Sequence, residues 1–199
     1  MRGFSYANNQ QYELAIKDYS QFIALVPDNA VGYHARSLSY FGSENYLAAL
    51  QDINQAISLN QNQADFYFLR GLIYQKQGEF DQALEDYKLA VEKNKNLASA
   101  IINIGYISYE KGDTETALQQ WQKALEINPN LAEPQLAIAA VLYGKGDTES
   151  SLEVAKQALT LDKQLADVDY LKKNLWPDKL IIEVKKLLQN PEMVTFLKK

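Results

Sequence analysis

Apolar and small residues return along this chain every 34 residues, without insertion or deletion. Small residues stand at Gly3, Ser37, Gly71, Gly105 and Ala139, and again at Ala15, Ala49, Ala83, Ala117 and Ser151. A third column runs Tyr12, Tyr46, Phe80, Thr114, Thr148, and a fourth Tyr19, Ile53, Tyr87, Trp121, Ala155. Lys111-Gly112-Asp113-Thr114-Glu115 returns verbatim as Lys145-Gly146-Asp147-Thr148-Glu149. A period of this length marks a solenoid of stacked helical hairpins, whose usual work is holding other proteins. Each copy reads as two helices, for example about 64–77 and 80–93, broken at Gly78.

The columns have physical reasons. Small residues at Gly71 and Ala83 let the two helices of a hairpin approach closely, and Ala90 admits the next hairpin. Tyr67, Tyr74 and Tyr87 fill the gaps between layers, with ridges packed into grooves. One hairpin cannot bury its apolar side alone, so neighbours stabilise one another. Asp113 and Asp147 stand where N-caps belong, and Glu115 and Glu149 add negative charge to the same helix starts.

These columns resemble the tetratricopeptide repeat family over about the first five-sixths of the chain. The copy at 64–97 carries most of the family pattern: Tyr67, Gly71, Tyr74, Gly78, Phe80, Ala83, Tyr87 and Ala90, with Lys95 in place of the closing Pro. The copy at 30–63 keeps Tyr33, Tyr40, Tyr46, Ala49 and Ala56, with Ser37 for the Gly. The copy at 98–131 keeps Gly105, Gly112, Ala117, Trp121, Ala124 and Pro129. That at 132–165 keeps Gly146, Ala158 and Leu161, and 1–29 is a truncated first copy. The resemblance implies an all-α, right-handed superhelical solenoid of antiparallel helix hairpins over 1–165.

Residues 166–199 break the repeat and are expected to form C-terminal capping helices. Pro177 suits a helix start. From there Leu180, Ile181, Val184, Leu187 and Leu188 form an amphipathic stripe. Asn190-Pro191 stops it, and Met193, Val194, Phe196 and Leu197 suit a short last helix. A terminal repeat needs such a cap over its last apolar face.

Composition narrows the function classes. The chain has 199 residues, 47% hydrophobic, and no Cys, hence no disulfide, thiol nucleophile or Cys-based metal site. The formal charge of −5 divides into +4 over residues 172–199 and −9 over the rest. A net-acidic solenoid is a poor match for a phosphate backbone, so nucleic acid is disfavoured as a partner. The tail lysines read as the solvated face of a capping helix, the alternatives being contact with anionic lipid or an acidic partner. No run approaches the roughly 18 apolar residues of a membrane helix, and no signal peptide is present, so a membrane is disfavoured and the default location is cytoplasmic. Met1 falls at the sixth place of a repeat. The chain therefore reads as a fragment of something longer, from which an upstream signal could be missing, with a truncated cap as the alternative.

In the family, first helices line a concave groove, at the second, fifth, sixth, ninth, twelfth and thirteenth places of each copy. Carried across, the resemblance puts His34, Phe41, Phe68, Leu72, Ile102, Asn103, Tyr106, Tyr109, Leu136 and Tyr143 on that groove, along with Phe4, Leu38 and Tyr170. Of the 13 Tyr, nine occupy packing columns; the other four, 106, 109, 143 and 170, all land there. Exposed apolar patches of that kind mark an interaction surface. Family members that clamp C-terminal carboxylates of heat-shock chaperones use Lys, Asn and Arg. Here the fifth, sixth and ninth places of the full copies are apolar except His34 and Asn103.

The expectation is therefore a protein–protein interaction scaffold that holds an apolar or amphipathic helical segment of another protein in its groove. Asn103 would be available to its backbone. The alternative is a structural or self-assembly module whose groove is filled by its own tail or by a second copy in a homodimer. Catalysis has little support. His34 is the only His, and no P-loop or His-Glu-x-x-His occurs. No enzyme activity, cofactor or metal is expected.

Overall fold

The computed structural model describes residues 3, 6, 7 and 9–198, which are helical with no strand among them. They fall into two compact units, Met1–Leu97 and Ala98–Lys199. The first contains α1 (Tyr12–Leu25), α2 (Ala30–Gly42), α3 (Tyr46–Leu59), α4 (Ala64–Lys76) and α5 (Phe80–Lys93). The second contains α6 (Ala98–Glu110), α7 (Thr114–Ile127), α8 (Ala132–Gly144) and α9 (Thr148–Leu161). A 3-10 turn (Lys163–Ala166) then leads to α10 (Val168–Lys173), α11 (Asp178–Leu188) and α12 (Pro191–Leu197). First helices begin at Ala30, Ala64, Ala98 and Ala132, so the 34-residue rhythm of the sequence is that of the helices.

Within each hairpin the aromatic column of the second helix lies on the small column of the first. A Cβ on Gly71 would come within 2.7 Å of the Tyr87 ring, and one on Gly105 within 2.4 Å of Trp121 Nε1. Tyr87 and Trp121 are wholly buried, as are Ala49, Ala83 and Ala117. Where Ser37 replaces the Gly, its hydroxyl donates to the Ala49 carbonyl at 2.8 Å and so satisfies its own buried polar atom.

In the first unit a polar column is built from two arginines, each joining three helices. Arg36 donates to both carboxylate oxygens of Asp52 at 2.6 and 2.7 Å and to the Ser20 hydroxyl at 3.0 Å. Arg70 repeats this 34 residues on, reaching Asp86 twice at 2.7 Å and Asn54 at 2.8 Å. Burial pushes the Asp86 carboxyl pKa up, against the opposing pull of Arg70. In the second unit Ile104 stands at the arginine position and Gln120 at the aspartate position, so the column stops.

The turn between paired helices is left-handed at one place per copy. Gly78, Gly112 and Gly146 take φ of +80°, +88° and +91°, while Gln10 and Glu44 hold +58° and +62° in the same column. A side chain is strained in that conformation, and glycine is not. Glu44→Gly should therefore stabilise the protein by about 0.5–1 kcal/mol after the added freedom of the unfolded chain is counted. Urea melts check this; an unchanged or lower midpoint would refute it. At the next position Asn45, Asp113 and Asp147 cap their helices, accepting from the N–H of Ala48, Thr116 and Ser150 at 3.2, 3.0 and 3.4 Å. Bonds from Thr116 hold the Asp113 carboxyl below its usual pKa.

Candidate functional site

The first-helix face of the second unit is covered by the chain's own tail. Helix α11 packs on α8 and α6, and α12 packs on α9. The stripe Leu180, Ile181, Val184 and Leu187 is buried to within 2% of full burial, and Met193 of α12 is wholly buried. Trp176, just before α11, is buried with its ring 5.0 Å from that of Tyr106. At the C-terminal end of α6, the Lys179 ammonium donates to the Glu110 carbonyl and lies 3.9 Å from its carboxylate. A Cβ on Gly144 would sit 3.1 Å from a Glu183 carboxylate oxygen. Glu183 and Lys186 line a cleft of about 460 Å³ together with Tyr109, Val141, Tyr143 and Gly144. Asn190 donates to the Tyr143 hydroxyl at 3.5 Å.

This seat corrects the expectation of an open aromatic stripe. Ile102, Asn103, Tyr106 and Leu136 are buried, Tyr106 at 1% exposure and Leu136 at 0%. Tyr106 is held between Trp121 at 5.8 Å and Trp176. Burial raises its hydroxyl pKa well above the ordinary value, with Glu133 and Tyr170 adding to it. Tyr109 and Tyr143 are half-buried, Tyr109 with its ring 6.0 Å from that of Trp121. The contact is not perfectly satisfied. Tyr106 Oη, Trp176 Nε1 and one Glu110 carboxylate oxygen are buried without a hydrogen-bond partner.

The first unit differs. Its adjacent first helices, α2 and α4, present Val31 and Leu38, 60% and 45% exposed, beside the half-buried His34, Phe41, Phe68 and Leu72. His34 stacks at 4.9 Å on the buried Phe66, and burial lowers its pKa against a pull from Asp65. Phe41 packs 5.9 Å from Tyr46, and Phe68 5.8 Å from Tyr87, so both rings share the hairpin core. Phe4 lies outside the described residues. Among the described residues no group of His, Asp and Glu could hold a metal ion, and no helix is long and apolar enough to cross a membrane.

Sequence reasoning missed the Arg36–Asp52 and Arg70–Asp86 pairs, whose shared 16-residue spacing at a 34-residue interval was a usable signal. It also left open which surface Trp176 and α11 would cover.

Helical hairpins in strict 34-residue register, with small residues under aromatics, define an all-helical repeat protein. The chain belongs to the tetratricopeptide repeat family. Tetratricopeptide repeat profiles match residues 64–97 and 1–29, and a TPR repeat profile matches 38–78 and 105–146. Its fold is similar to the crystal structure of MamA, with TM-score 0.69 and 20% identity over 82% of this chain and 96% of that one. It is similar also to YrrB, described as a TPR protein with an unusual peptide-binding site, with TM-score 0.64 and 21% identity over 92% of this chain and 88% of that one. The first TPR of Spaghetti (RPAP3), bound to the HSP90 peptide SRMEEVD, aligns with TM-score 0.54 and 26% identity over 56% of this chain and 88% of that one. No curated protein sequence matches.

Proposed function

We propose that this chain is a protein-interaction scaffold that takes an amphipathic helical segment of another protein on the first-helix face of its N-terminal unit. The observation that carries this reading is the seat of α11. The equivalent pair of first helices, 68 residues further on, holds an amphipathic helix by its apolar stripe. On α2 and α4 the corresponding positions are apolar and accessible at Leu38 and, in part, at Phe68 and Leu72. Helix-in-groove binding uses anchors spaced in this way. Similar proteins that have a peptide-binding site, or were solved with a peptide bound, support a binding role.

The second unit fits the alternative reading, a structural module with its face filled by its own tail. There Ile102, Asn103, Tyr106 and Leu136 serve the chain's own cohesion, and binding is left to His34, Leu38, Phe41, Phe68 and Leu72. A selection of displayed helical peptides against the full chain tests the proposal. Selected peptides should share an apolar stripe and lose at least about tenfold in affinity on Leu38→Asp. Peptides that bind without regard to Leu38 would refute it.

A further inference from the structure

We infer that the tail, α11 with α12, exchanges between two copies of this chain, so that a second copy supplies the helices that cover the first-helix face of the second unit. The hinge is residues 174–177, between α10 and α11. First helices α2, α4, α6 and α8 run 13 residues each, whereas α10 stops after 6. It stops in a turn where the Trp176 N–H donates to the Leu171 carbonyl at 3.1 Å and the Leu175 N–H to that of Lys172 at 3.2 Å. Such a helix end needs one left-handed residue, a place that glycine usually fills. Here Leu175 fills it, at φ +64°. A leucine is strained in that conformation, and the strain accompanies the reversal that lays α11 on α8 and α6 of its own chain. With Leu175 relaxed into the right-handed region, α10 continues toward Pro177, before which a helix tends to end, and the tail is carried off its own seat.

The seat does not distinguish its own tail from another. Trp176 on Tyr106, Lys179 on Glu110, Asn190 on Tyr143 and Glu192 on Lys156 each join the tail to the body of the unit. A second copy's tail makes all of these contacts unchanged and buries the same apolar stripe. Opening without exchange uncovers that stripe and is disfavoured. Exchange keeps it covered and releases the strain of two hinges, against the entropy of joining two chains. The dimer therefore gains ground as concentration rises, and it forms slowly because each tail must first leave its seat. The exchange does not depend on what the first unit binds. Where that unit binds as proposed above, the dimer offers two such faces to one partner.

The test holds the full-length chain at high concentration a few degrees below its melting temperature, cools it, and separates the products by size-exclusion chromatography with light scattering. A dimer should appear. The chain has no Cys, so one copy can carry Lys156→Cys and a second, enlarged by a tag, Glu192→Cys, at exposed positions whose native side chains meet at 2.9 Å. After the two copies are annealed together, a short bismaleimide should join tagged to untagged chains in the dimer fraction and not in the monomer fraction. Leu175→Gly relieves the strain of the folded-back form and should lower the dimer association constant about tenfold, two hinges contributing. A chain that stays monomeric after annealing would overturn the inference. Dimers without the tagged-to-untagged link would overturn it too, because they join through another surface. Linked dimers whose association constant ignores Leu175→Gly would remove the hinge from the account, and the inference would fall with it. None of these outcomes bears on the binding role of the first unit, which the displayed-peptide selection tests separately.

Discussion

Removal of residues 175–199 should lower the melting temperature by roughly 10–20 °C and cause aggregation. The segment buries Trp176, Leu180, Ile181, Val184, Leu187 and Met193. At about 1.5–3 kcal/mol for each large apolar side chain, the gross gain is on the order of 10–15 kcal/mol. Ordering two short helices and leaving three buried polar atoms unpaired takes back a large part of it. A net contribution of about 5 kcal/mol gives the stated shift for a chain of this size. The exposed surface would include Tyr106, which Trp176 now covers, and form an apolar patch of the kind that drives association. A truncated chain that melts with the parent and stays monomeric would mean that the tail is an independent arm, and its lysines would become candidates for contact with lipid or partner.

Much of this architecture was legible before any coordinates. Helix starts follow the Ala30, Ala64, Ala98 and Ala132 column, and the left-handed turn follows Gly78, Gly112 and Gly146, because backbone sterics act locally and repeat with the sequence. Asp113 and Asp147 cap as their position demands, since capping needs only a side-chain oxygen within three residues of a free N–H. The stripe of α11 was equally plain. Its address was not, because an amphipathic helix states that it needs an apolar surface without stating which one. Two surfaces competed: the end face of the last hairpin and the first-helix face. The tail uses both, α12 on α9 and α11 on α8 and α6. Tyr106 was misjudged for the same reason. It occupies no column of the repeat, so its burial depends on a segment outside the repeat. Lys179 and Glu183 could not be interpreted until their seat was known.

Of the two tyrosine variants, Tyr106→Ala should destabilise the protein strongly and Tyr106→Phe should not. Tyr106 is buried between Trp121 and Trp176, so truncation to alanine leaves a cavity that neither ring can fill without moving. The expected cost is about 3–5 kcal/mol, a fall of roughly 10 °C or more in melting temperature. Removal of the hydroxyl alone acts the other way. Tyr106 Oη has no hydrogen-bond partner while fully desolvated, so Tyr106→Phe should be neutral or stabilising by up to about 1 kcal/mol. Trp176→Ala empties the same space from the tail side. Its combination with Tyr106→Ala should therefore cost less than the sum of the two, as side chains sharing one cavity do. Thermal melts followed by circular dichroism give all four values. Near-parental stability for Tyr106→Ala would contradict the packing of Trp176 on Tyr106. The first-helix face of the second unit would then have to be treated as open to a partner, with Tyr106 and Tyr109 at its centre.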